Sequence, residues 1–199
     1  MTGSATSLRE LKRLETAHRI RDCALVLTDD RGLDGWTMDD LAEAADVSRR
    51  TLFNYYPGKV DAVLGATPEL PEEVVDAFRA GGPHGDLLDD LAELARVALT
   101  VKRPEREEVE LGRRVLRTEP RLFGAAHQRF EAVTDEFAEL VLEREGAGAD
   151  PDRAKLLLRL LLAVLDHSLG VFVDDHRDRS LVDVFDEQVG LARDLFHRS

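Results

Sequence analysis

The sequence predicts an all-α chain in two parts, a short N-terminal set of three helices arranged as a helix-turn-helix and a longer helical remainder. Three observations predict it. Apolar residues recur at helical intervals along almost the whole chain, and the stretches between them are marked by Gly and Pro. Residues 37–59 also carry two consecutive Thr or Ser caps, Thr37 and Ser48, each heading a short helical segment.

In order, Ser7-Leu8-Arg9-Glu10 has capping-box spacing, and Ala17, Ile20, Ala24 and Leu27 follow at helical intervals, so a first helix is expected over Leu8 to Asp30. Cys23 falls within it as a small packing residue. Arg31 to Gly35 reads as a turn, after which Thr37 caps a second helix with Asp39 and Asp40 in its first turn and Leu41, Ala42 and Ala45 turned to neighbours. Asp46-Val47 then leads into the Ser48 cap. Trp36 and Val47 are expected in a small core.

Val47 to Lys59 reads VSRRTLFNYYPGK, a helix of two turns from Arg49 to Tyr56 stopped by Pro57-Gly58. Helix N-termini carry partial positive charge, so a base there costs about 0.3–1 kcal/mol. Arg49 and Arg50 head this helix and Lys59 heads the next. An external anion resolves both conflicts, because a helix N-terminus flanked by Arg or Lys is a phosphate site. Thr51, Asn54 and Tyr55 add polar groups that reach phosphates or base edges, while Leu52 and Phe53 are expected to anchor the helix on its own domain.

The remainder reads as a series of helices. Val60, Val63 and Leu64 continue to Pro68 and Pro71, and a short helix holds Val74, Val75 and Phe78. Asp86 caps a helix with a Leu87, Leu91, Leu94, Ala95 and Ala98 stripe, ended by Pro104. Arg106 to Leu116 is a highly charged, shorter helix lying partly at the surface and packing Val109, Leu111, Val115 and Leu116, with Arg113 and Arg114 solvated or ion-paired. Pro120 opens a long helix to Gly146. A helix from Asp152 to Val173 is apolar around most of its circumference, which implies two covered surfaces, and Leu181 to His197 repeats the theme. The second surface is most simply a partner subunit, two helices from each copy forming a four-helix bundle. Leu157, Leu161, Val164, Leu165, Phe185, Val189, Ala192 and Phe196 are the expected dimer contacts.

Length and charge set bounds. The 199 residues suffice for a sizeable core without an oligomer. A formal net charge of −13 argues against nucleic acid until the chain is divided at Lys59. Residues 1–59 hold 9 Lys+Arg against 10 Asp+Glu, and the rest hold 18 against 30, so the acid lies behind the helix-turn-helix. Screening over about 8–10 Å leaves local charge to decide phosphate contact. One cysteine permits no intramolecular disulfide, no h-region opens the chain, and Arg159 breaks the apolar run of Leu156 to Leu165 short of spanning length, so a cytoplasmic protein without membrane partner is expected. No phosphate loop, nucleophile elbow or HExxH spacing is present, and Asp174-Asp175-His176 reads as a solvated turn, so neither enzyme, cofactor nor metal is expected.

The segment from Ala17 to Leu64, above all GWTMDDLAEAADVSRRTLFNYYPGKVDAVLGA, resembles the N-terminal domain of the tetracycline-repressor (TetR) family of transcriptional regulators. Gly32, Thr37, Val47, Ser48, Thr51, Tyr55, Tyr56, Gly58 and Lys59 carry the resemblance, and Tyr56, where phenylalanine is commoner, and Pro57 depart from it. The resemblance implies a homodimer whose residues 1–60 bind double-stranded operator DNA and whose residues 61–199 bind an effector and dimerise. It places Thr51, Tyr55 and Lys59 on phosphates and Arg49, Arg50 and Asn54 nearest the bases, with Thr37 and Ser48 beside them. The apolar C-terminal half is similar to a subgroup responding to acyl-CoA-like or other apolar ligands. Phe123, His127 and Phe130 share a helix face and His167 lies on the apolar penultimate helix, so these are the expected cavity lining. The alternative is a DNA-binding dimer without small effector, its C-terminal part serving dimerisation or protein contacts only.

Overall fold

A computed structural model of the chain describes residues 3–67 and 69–197, with side chains from residue 12 onward except Lys102, Phe196 and His197. The predicted capping box of Ser7 and Glu10, and the expected contact at Phe196, therefore lie outside the described side chains. Among the described residues the chain is helical throughout, without strands. The helices are α1 (Gly3–Arg31), α2 (Met38–Ala44), α3 (Arg49–Tyr55), α4 (Lys59–Leu64), α5 (Glu72–Arg79), α6 (Leu87–Lys102), α7 (Arg106–Thr118), α8 (Pro120–Glu145), α9 (Pro151–Asp174) and α10 (Leu181–His197).

The chain divides into two compact units. The first comprises Met1–Thr67 with Glu110–His127, the second Pro68–Val109 with Gln128–Ser199, so α7 and α8 each contribute to both.

In the first unit α1 is the spine, with Ile20, Ala24 and Leu25 at 2 % exposure or less. The capping box of α2 forms as its sequence dictates: the Asp40 N–H donates to Thr37 Oγ1 at 3.2 Å, and the Thr37 N–H donates to Asp40 Oδ2 at 2.7 Å. Trp36 closes the core, its Nε1–H donating to Thr28 Oγ1 at 3.1 Å. Val115 and Leu122 complete the same core at 0 % exposure. Val115 is one of the packing residues expected of the charged α7, while Leu122, on α8, is not expected in this core from the sequence. Arg114 binds Asp29 with two hydrogen bonds of 2.9 Å, and Glu119 Oε1 accepts the Leu33 N–H at 2.8 Å.

Gly65 ends α4 with φ 73°, and a Cβ there would stand 2.5 Å from Arg21 Cδ, so only glycine fits.

In the second unit Phe78, Leu91, Val141, Leu158, Phe172, Leu181 and Phe185 form the core. Asp90 and Arg144, at 0 % and 5 % exposure, meet at 2.6 Å inside it. α9 corrects the expectation about spanning length: by length and composition it is long and apolar enough to cross a membrane. One flank instead carries ion pairs to α8, Lys155–Asp135 at 2.7 Å and Arg159–Glu131 at 2.9 Å, while Leu158, Leu161 and Phe172 enter the core. The Asp175 carboxylate bridges Arg177 and Arg179, chiefly through its hydrogen bond from Arg177, and is held well below the usual carboxylate range.

The expected dimer contacts differ in their burial within the single chain. Leu161, Phe185 and Val189 are 8 %, 0 % and 7 % exposed within the single chain, so they hold this unit together. Leu157, Val164 and Leu165 are half-buried against the same core, and Ala192 is half-buried. Among the described residues of α9 and α10, the large apolar side chains turned to solvent are Leu156 and Leu160 on α9 and Leu191 and Leu195 on α10. The inner stripe of an all-apolar helix cannot be told from its outer stripe by composition.

Candidate nucleic-acid interface

The two-turn helix α3 is built by its cap and its seat. Ser48 Oγ accepts the Thr51 N–H at 3.0 Å and exchanges a 2.7 Å hydrogen bond with Thr51 Oγ1, so both hydroxyls serve the cap. Leu52 at 0 % and Tyr56 at 4 % exposure seat the helix on α1, and Tyr56 donates its hydroxyl to the Ala17 carbonyl at 3.3 Å. That bond gives the phenol a reason to stand where phenylalanine is commoner. Tyr55 is half-buried beside Tyr56.

The turn before α3 is fixed from α1 as well. Arg19 Nε donates to the Ala45 carbonyl at 3.0 Å and Cys23 Sγ to the Ala44 carbonyl at 3.4 Å. Burial and then the neighbouring Asp22 push the Cys23 thiol up, away from a reactive thiolate.

The opposite face of α3 is open. Arg49, Arg50, Phe53 and Asn54 are all exposed, and at 100° per residue they are adjacent around the helix. Phe53, at 42 % exposure, is therefore not the anchor expected of it; the buried aromatic is Tyr56, whose position falls beside Leu52. No acid lies between residues 48 and 59.

The three cations differ in their surroundings. Arg50 is exposed and makes no ion pair or hydrogen bond among the described residues. Arg49 Nη1 lies 3.3 Å from Asp39 Oδ2, both side chains well exposed. Lys59 corrects the expectation of an unpartnered cation at the head of α4. Its Nζ donates to the Leu33 carbonyl at 3.0 Å and stands 5.0 Å from the Trp36 ring centroid, and the residue is half-buried. The cation that offends the helix dipole is compensated by a carbonyl and an indole face of its own unit.

Thr37 is exposed at the start of α2, with its hydroxyl on Asp40. The residues expected to line a cavity fall in both units. Phe123 is 66 % exposed, and His127 and His167 are exposed as well, while Phe130 is half-buried. Leu122, the neighbour of Phe123, takes the core position instead.

Sequence reading missed two contributors. Asp39 reads as an ordinary first-turn acid, since its proximity to Arg49 depends on the turn between α2 and α3. Glu119 reaches Leu33 across 86 positions, for which no short-range signal exists.

Two short capped helices joined by a tight turn, seated on a third and presenting an open basic face, define a helix-turn-helix domain. Residues 20–64 match the family model described as bacterial regulatory proteins, tetR family. Residues 20–64 are thus similar to the N-terminal domain of that family. Over 48 residues the chain is 44 % identical to a protein of Mycobacterium tuberculosis (strain ATCC 25618 / H37Rv) named as a mycofactocin biosynthesis transcriptional regulator, MftR. The match covers 24 % of this chain and 24 % of that protein, so the shared length is about a quarter of either.

Proposed function

We propose that the chain is a ligand-responsive transcriptional regulator, acting as a repressor, that binds a palindromic operator as a homodimer and is released by a small apolar or acyl-type effector. Residues 1–60 supply the DNA-binding part and residues 61–199 the effector-binding and dimerising part. The observation that carries the reading is the outer face of α3, where Arg49, Arg50 and Asn54 stand exposed over a seat of Leu52 and Tyr56. Thr37, Ser48, Thr51 and Tyr55 flank that face, and Lys59 supports it through Leu33. Two such faces about 34–36 Å apart fit successive major grooves of a duplex. An effector releases DNA only if it binds a conformation with a different spacing more tightly.

The exposed Leu156, Leu160, Leu191 and Leu195 support a second copy as the covering surface. A protein that works in this way needs no catalytic constellation and acts where the chromosome is, in the cytoplasm.

Selection of bound fragments from random DNA, followed by titration of the recovered duplex at several salt concentrations, tests the reading. An inverted repeat with affinity falling steeply in salt, and lost in Arg50→Ala, is the expected result. Binding indifferent to sequence removes operator recognition.

A second reading is a DNA-binding dimer without small effector, favoured by the exposure of Phe123, His127 and His167. Ligand screens read by thermal stabilisation separate the two, since any ligand of the native state raises the melting temperature.

A further inference from the structure

Among the described residues, Arg49 is the cation of the α3 face with a carboxylate beside it. Asp39 Oδ2 stands 3.3 Å from Arg49 Nη1, and the Arg49 guanidinium lies 5.7 Å from the centroid of the Phe53 ring. The planar group is thus flanked by a carboxylate from α2 and by an exposed aromatic ring one turn along its own helix.

A carboxylate at that place is costly for simple attraction to DNA. Non-specific affinity grows with the number of phosphates neutralised, so Asp39 cancels one cation where the open face has only a few. Helix capping does not need it, since the reciprocal box of α2 uses Asp40. What it does supply is direction. A guanidinium reads guanine only when its fork is held edge-on to N7 and O6, and the same fork also matches a phosphate.

We infer that Asp39 is a specificity-determining positioning residue: with Phe53 it holds the Arg49 fork off the phosphates and directed at a base edge. The inference rests on the DNA-binding reading above. Its effect is discrimination at the expense of non-specific affinity, as in other cases where a repulsive element sharpens recognition.

The test uses the full chain, with Asp39→Asn and Asp39→Ala compared with wild type on the selected operator and on a scrambled duplex of equal length. Asp39 lies outside both cores, so thermal melts confirm that the variants fold. The expected result is tighter binding to the scrambled duplex, with a salt slope steeper by about one, and a ratio of operator to scrambled affinity that falls by about ten-fold. Adding Arg49→Ala to Asp39→Asn should then lose little further discrimination, because the two residues act through one group.

Equal gains on both duplexes, with the ratio unchanged, overturn the inference while leaving DNA binding intact; Asp39 is then only a subtracted charge. Unchanged affinity on both duplexes overturns it too. A wild type that binds neither duplex overturns the DNA-binding reading, and the inference falls with it.

Discussion

Lys59 Nζ donates to the Leu33 carbonyl at 3.0 Å while Glu119 Oε1 accepts the Leu33 N–H at 2.8 Å, so a side chain from α4 and one from the α7–α8 junction hold both polar groups of one residue in the α1–α2 turn. That turn leads directly to Trp36 and the cap of α2. A lysine that reads in the sequence as a free phosphate ligand is thus part of the brace that sets where the helix-turn-helix begins.

Lys59→Met should therefore act first on stability. A charged hydrogen bond contributes about 1.5–3 kcal/mol, and partial solvation of Lys59 reduces the expected loss to about 1–2 kcal/mol. Melting should fall by about 2–8 °C. The salt slope for DNA should change less than in Arg50→Ala, whose guanidinium is exposed; a larger slope change in Lys59→Met would return that residue to the phosphate contacts.

Asp46 offers a gain. It adopts φ 49° in the α2–α3 turn, in the left-handed region that favours glycine. Asp46→Gly should stabilise by about 0.5 kcal/mol, and Asp46→Val, whose branched Cβ crowds that conformation, should cost about 1–2 kcal/mol. Thermal melts of the two variants in opposite directions are the expected outcome. A stabilising valine would show that the turn relaxes out of the left-handed region.

Much of the N-terminal domain is legible in the sequence because its signals are local. Thr37 with Asp40, Ser48 with Thr51, and Pro57-Gly58 each act within four residues, and all appear at the expected places. The family match over residues 20–64 falls on the same stretch. What fails is long-range or facial. Glu119, Val115 and Leu122 join the first unit through contacts no short window contains. Phe53 stays out of the core and Tyr56 enters it, because an aromatic run on a two-turn helix gives no inward direction. α9 and α10 are apolar on both sides, so burial alone separates Phe185 from Leu191.

That separation is itself testable. Phe185→Ala removes a fully buried ring and should cost about 3–5 kcal/mol whatever the protein concentration. Leu160→Glu with Leu191→Glu places charges on the exposed faces and should yield a monomer by light scattering at micromolar concentration, with the helical signal retained. A wild type that is already monomeric would end the homodimer reading, and a double variant still dimeric would move the interface off these faces.

The Asp90–Arg144 pair sets a pH dependence whose direction follows from its surroundings. Desolvation pushes the Asp90 carboxyl up, but the His84 N–H, the hydrogen bond and charge of Arg144, and the Gly85 N–H outweigh it and hold the group below its ordinary value. An unfolded aspartate titrates near about 3.9. Above that pH the carboxylate is ionised in both states and its stabilisation is complete. As pH falls through the unfolded value toward the lower folded one, the unfolded chain binds the proton first and the stabilisation is lost. Denaturant melts should therefore show little contribution from this pair to pH dependence between pH 5 and 8 and a loss below about pH 4. Because Asp90 is 0 % and Arg144 5 % exposed, removing either alone strands a buried charge and should cost about 3–5 kcal/mol. Arg144 also donates to the Gly81 carbonyl at 3.3 Å and lies 4.8 Å from the Phe78 ring centroid, so Arg144→Met exposes that carbonyl as well as Asp90. Asp90→Leu combined with Arg144→Met should recover most of the loss and flatten the acid limb, since no stranded charge remains. If the double variant were as unstable as the sum of the singles, the pair would be contributing through the loop it ties down and not through its charges.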